Sequence, residues 1–176
     1  MRNAVAGALL IAAVSTFGDF VWAGLHLRHR VAYGLAHGAF LFLCIGAYFG
    51  SLHGTLLPGA IYGALIGLSA AGSFYLLAPV AGYSVMFVVW AFVWLALAIL
   101  AERIRRPAPG RAAPLSSVMA RGGLAMIGSG VGFYLISGIW RPFDPKGWDY
   151  AVHFLAWTLA YLPGFLALLS RPRHSL

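Results

Sequence analysis

Residues 16–37 read TFGDFVWAGLHLRHRVAYGLAH. An apolar run carrying Asp19 enters a basic knot of Arg28, His29 and Arg30, and a second apolar run carrying His37 leads out of it. Two long apolar runs joined by so short a turn form an antiparallel pair of helices, and a bilayer crossing needs about 20 mostly apolar residues. The same alternation continues through the chain. It predicts six helices, at about 4–27, 31–50, 55–79, 83–101, 117–140 and 148–169.

Composition points the same way. The 176 residues are 61% hydrophobic and 9% charged, with a mean hydropathy of +0.85. Soluble domains carry about 25% charged residues, so this chain cannot cover a water-facing surface. The expected fold is all-α, a polytopic integral membrane protein built as one compact six-helix transmembrane domain over residues 1–176. The net charge of +8 sits in the connections between apolar runs and makes no basic domain, which argues for membrane lipid as the partner and against nucleic acid. The single cysteine, Cys44, excludes an intrachain disulfide and any Cys-based metal motif. The first apolar run continues to Leu25, long enough to span, and reads as a retained helix and not a cleaved signal peptide.

Orientation follows from the Lys and Arg residues. Arg2, Arg103, Arg105, Arg106, Arg111, Arg121, Arg171 and Arg173 fall on one side; Arg28, Arg30, Arg141 and Lys146 fall on the other. The richer side is expected to be cytoplasmic. Both termini then lie inside (N-in, C-in), in a bacterial-type inner (plasma) membrane. The one connection of any size is ERIRRPAPGRAAPLS, residues 102–116, whose prolines keep it from forming helix. In the third helix Gly59, Gly63 and Gly67 recur at every fourth residue. Such a ridge lets another helix approach closely, inside the bundle or across a homodimer. Pro163 and Gly164 are expected to kink the last helix.

Depth then picks out a site. Asp19 lies seven residues before His26, His37 seven after Arg30, His153 seven after Lys146, Tyr134 seven before Arg141 and Ser73 six before Pro79. At about 1.5 Å per residue, all five lie about 10 Å below the outer boundary. An ionisable group facing lipid costs roughly 2.5–3.5 kcal/mol on insertion scales, so Asp19 should face the interior.

Helical spacing extends the layer into stripes: Thr16, Asp19, Trp22 and His26; Tyr33, His37, Cys44 and Tyr48; Tyr134, Ser137 and Arg141; Asp149, His153, Trp157 and Tyr161. Together they predict a pocket open to the outside or the outer leaflet. Its rim would be Arg28, His29, Arg30, Arg141, Asp144, Lys146 and Asp149, and its apolar lining Trp22, Tyr134 and Trp157.

Three functions use these residues. In the first, the pocket binds or transports a small molecule, lipid or proton, with Asp19 as charged anchor, His37 and His153 as its partners and Tyr134 as donor. In the second, Asp19, His37 and His153 or Asp149 hold a metal for an intramembrane enzyme. In the third, His37 and His153 ligate a b-type haem, with Arg28 or Arg30 for its propionates. Against all three stands a purely structural role, Asp19 hydrogen-bonding a neighbour to fix helix register. Residues 149–154, DYAVHF, resemble the Asp-x-x-x-His-Phe of VanZ-like membrane proteins; six residues carry no function with them. The first function requires the fewest assumptions.

Overall fold

The computed structural model describes residues 1–24, 29–105, 113–136 and 148–169, with the side chains of 134–136 and 148 excepted. It is all-helical. The six helices are α1 (Arg2–Gly24), α2 (Arg30–Ser51), α3 (Leu56–Ala81), α4 (Val85–Arg105), α5 (Leu115–Ile136) and α6 (Trp148–Leu169). Each expected segment is present, with ends displaced by a few residues. Five of the six are long and apolar enough to cross a membrane, consistent with an integral membrane protein; α5, interrupted by Arg121 and its glycines and serines, is the exception.

Each helix packs against its sequence neighbours, and α6 returns to lie against α1, so the six close into a ring. The seam between α1 and α2 is much the loosest in it. Because α1 and α6 are antiparallel, the start of α1 and the end of α6 lie at the same end of the bundle.

The centre belongs to α4. Val85, Val89, Trp90, Val93, Trp94, Leu97, Ala98 and Ala101 are all buried, on more than half of its circumference. Trp94 and Tyr161 are the largest fully buried side chains, and Trp90, Phe133, Trp157 and Phe165 pack around them ring against ring. The outer surface is the reverse of a soluble protein's. Leu76, Val80 and Val88 are 76%, 90% and 68% exposed, apolar surface of the kind that lipid covers favourably.

The α3 ridge is taken up inside the bundle. The buried residues of α3 are Gly59, Ala60, Gly63, Gly67 and Ala70, all small. They face Gly38, Phe42, Gly46 and Gly50 of α2 so closely that a Cβ at Gly63 would strike the Phe42 carbonyl, and one at Gly46 the Gly59 carbonyl. Backbones in contact gain dispersion along their whole length without any large side chain. A second copy of the chain would have to bind another face.

Pro163 lies inside α6, and the helix assignment runs through it unbroken. The Gly164 N–H donates to Ser129 Oγ of α5 at 2.9 Å, and the indole of Trp94 occupies the space a side chain at 164 would need. The Pro-Gly pair thus creates a seat for a tryptophan and a crosslink to α5.

Glu102 ties the opposite end together. It accepts from Arg105 at 3.4 Å, from Arg121 of α5 at 3.0 Å and from the Ala113 N–H at 3.1 Å, while Arg105 also donates to the Leu168 carbonyl of α6. One carboxylate therefore links α4, α5 and, through Arg105, α6. Glu102→Gln should lower stability by about 1.5–3 kcal/mol, the range for hydrogen bonds to a charged group. An SDS-unfolding midpoint in mixed micelles measures it, and an unchanged midpoint would mean the cluster is merely solvated.

Candidate functional site: Asp19 between two helices

The site is organised by α1, which shows different faces to α2 and α6. At i, i+4 spacing, Ser15 and Asp19 turn toward α6, and antiparallel to them Trp157 and Tyr161, also four apart, turn back. Ser15 Oγ and Tyr161 Oη lie 3.1 Å apart, both buried. One turn further, the Trp157 Nε1–H donates to Asp19 Oδ2 at 2.7 Å. His153 Nδ1 lies 3.3 Å from the same oxygen, where a protonated ring nitrogen also donates. The His153 side chain is 2% exposed and that of Asp19 23%. Oδ1 makes no hydrogen bond to a described residue.

The surroundings fix the geometry. Trp157 stacks on Tyr161 with centroids 5.4 Å apart and planes at 17°. Phe20 stacks on Tyr150 at 3.6 Å and meets the edge of His153 at 5.6 Å. The carboxylate is therefore held by donors that cannot swing away. Asp19 lies five residues from the end of α1 and His153 five from the start of α6, about 7–8 Å from the helix ends, slightly shallower than the sequence count implies.

His37 approaches from the other side. Its imidazole covers Gly18, where a Cβ would lie 2.8 Å from Nδ1 and closer still to Cε1. Only glycine at 18 leaves room for the ring there. His37 also lines a groove of about 240 Å³ between α1 and α2, walled by Val14, Phe17, Val21, Trp22, Tyr33 and Phe40. Trp22 meets Tyr33 edge to face across it, centroids 6.5 Å apart. Phe17 and Phe40, 69% and 56% exposed, put its mouth on the outer surface of the bundle. The groove occupies the loosest seam of the ring.

Sequence depth and spacing thus bring together Asp19, His153 and Trp157, with His37 and Trp22 on the adjoining face. Arg30 is exposed at the start of α2, and Asp149 lies in the first turn of α6. Thr16 turns its hydroxyl to its own helix, donating to the Ala12 carbonyl. Ser73 is exposed on α3, away from the others. Tyr134 lies on α5, its side chain outside the described set; Arg28, Ser137, Arg141, Asp144 and Lys146 fall outside the described residues altogether.

Two of the chemistries weighed above call for particular arrangements of these side chains. Among the described residues no three His, Cys, Asp or Glu side chains are placed to hold a metal ion, so Asp19, His37 and His153 do not form a ligand set. His37 and His153 do not face one another: α1 runs between them, with Gly18 under one ring and Asp19 bonded to the other.

Sequence reasoning passed over Ser15, Gly18, Phe20 and Tyr150. The Ser15/Asp19 and Trp157/Tyr161 pairs, each four apart on antiparallel helices, carried a signal that could have found the first. No family model, curated protein or solved structure matches this chain. The residues themselves have to carry the functional assignment.

Proposed function

We propose that the chain is an integral membrane protein of six crossings with both termini cytoplasmic, and that it binds an amphiphilic small molecule or lipid in its extracytoplasmic half. The observation that carries this is a carboxylate held on one oxygen by Trp157 and His153, partly exposed, next to an apolar groove that opens sideways. A carboxylate needed only for helix register could be fully buried and fully paired. Here the donors are rigid, Oδ1 has no hydrogen bond to a described residue, and the neighbouring groove has the apolar walls and few polar groups of a ligand site.

In this function the polar end of the ligand donates to Asp19 and meets His37, while its apolar part lies between Trp22, Tyr33 and Phe40. Arg30, exposed at the start of α2, and Asp149, in the first turn of α6, supply charge at the outer end of the site. Entry is lateral, through the α1–α2 seam, so the ligand need not leave the bilayer. The Arg and Lys excess, eight against four, sets the orientation.

Photolabelling tests the site. The purified protein in micelles is irradiated with a diazirine-bearing long-chain primary amine and, in parallel, with the chain-matched alcohol. Label is expected on peptides containing residues 14–22 and 33–40. Ala36→Trp, which fills the groove without touching Asp19, should remove label from both probes. Asp19→Asn should weaken the amine alone, by about tenfold, as loss of a charge-assisted bond implies. Labelling spread over the bundle and insensitive to both substitutions would defeat the proposal.

A further inference from the structure

A second groove, of about 280 Å³, lies on the far side of the bundle between α3 and α4. Leu65, Ile66, Phe92, Ala96 and Ile99 make it apolar, Tyr62 and Ser69 add hydroxyls, and Arg103 closes one end. None of these residues belongs to the Asp19 site. The groove is shaped by the small-residue face of α3: with Gly59, Gly63 and Gly67 drawn against α2, the larger side chains of α3 are turned toward α4 and lipid.

Two features identify its occupant. The first is length. From Arg103 to Phe92 is eleven residues of α4, about 16 Å of helix, which is half the roughly 30 Å hydrocarbon core of a bilayer. The groove is as long as one leaflet is deep. The second is charge. Among the described residues Glu102 is the one carboxylate at this end, and Arg105 and Arg121 engage it. Arg103 is exposed and makes no ion pair with a described residue, at the helix end where headgroups lie. A guanidinium with no counter-ion among the described residues, at the mouth of an apolar, leaflet-deep groove, matches an acyl chain joined to a phosphate.

We infer that the α3–α4 groove holds an acyl chain of an anionic phospholipid whose phosphate pairs with Arg103. The site shares only its membrane placement with the proposed function, and loss of the Asp19 site would leave it intact. The lipid fills the notch between the outermost helix and the central one, which no side chain fills.

Native mass spectrometry of the full chain tests this, with the protein released from nanodiscs containing equal amounts of phosphatidylglycerol and phosphatidylcholine of matched chains. The expected result is retention of phosphatidylglycerol in preference to phosphatidylcholine. Arg103→Gln, an exposed substitution, should lower that preference by about fivefold, the weight of one basic residue near an anionic surface. Ala96→Phe, which fills the groove midway, should remove retention of both lipids while the protein stays monodisperse. Should Ala96→Phe fail to fold, Ser69→Leu blocks the same groove from α3. No preference in the natural protein, or an unchanged preference in Arg103→Gln, overturns the proposal. So does unchanged retention in a folded groove-filling variant.

Discussion

Gly63→Val is expected to give little or no folded protein. A Cβ at 63 meets the Phe42 carbonyl and lies 3.0 Å from the Gly46 Cα, both of them backbone. Overpacking a core costs typically 1–3 kcal/mol when side chains can shift to relieve it. Here nothing can rotate away, so α2 and α3 must separate, and that interface is the most extensive helix pair in the bundle. Separation also strips contact from Gly46, Gly59 and Gly67 at once, so the loss exceeds the range for a single side chain. Gly123→Ala is the control: it is also a mid-helix glycine, but a Cβ there meets nothing within 4 Å. It should be neutral or stabilising by up to about 1 kcal/mol, since alanine is the better helix former. SDS-unfolding midpoints and size-exclusion profiles compare the two. A folded, monodisperse Gly63→Val would mean that the close approach of α2 and α3 is not what holds the hairpin.

Trp157→Phe and Trp90→Phe form the second contrast. Both remove the same atoms from buried, stacked indoles. The Trp157 N–H donates to a carboxylate at 2.7 Å, whereas the Trp90 N–H is buried without a hydrogen-bond partner. The cavity cost is similar in the two, so the difference between them isolates the hydrogen bond. Trp157→Phe should be the more destabilising by about 1.5–3 kcal/mol, the range for a bond to a charged group. In an Asp19→Asn background most of that difference should vanish, because the two side chains act as one unit. Equal losses for the two tryptophans would show that Asp19 gains nothing from Trp157 and would reduce the site to packing.

The fold was legible because lipid imposes one rule on every segment. A run of about 20 apolar residues ended by Arg, Pro or Gly has few ways to satisfy its backbone other than as a helix. Segments such as 31–50 and 148–169 therefore come within a residue of α2 and α6. The 117–140 segment was the hardest, since α5 is held by small-residue contacts, such as Gly132 on the backbone of Leu159 and Ala160, and not by bulk hydrophobicity.

The site was legible in depth but not in rotation. Counting from the turns put Asp19, His37 and His153 near one level. It could not say that Asp19 and Gly18, adjacent in sequence and about 100° apart around the helix, would serve different neighbours. That rotation decides the chemistry: it brings His153 to the carboxylate and sets His37 over Gly18, beside the groove and within electrostatic reach of Asp19. Trp157, expected only as apolar lining, is a donor for the same reason.

The return of α6 onto α1 has a consequence for how the molecule is made. The partners of Asp19 lie 134 and 138 residues downstream, so the first helix leaves the ribosome long before either exists. On the membrane reading proposed above, until α6 is inserted a carboxylate stands in the bilayer without these two donors, at a cost of roughly 2.5–3.5 kcal/mol. The nascent bundle must shelter it by tilt, by local water or by an insertion factor, and only the arrival of residues 148–169 ends that wait. On that reading, residues 148–169 are what make residues 2–24 acceptable to a bilayer.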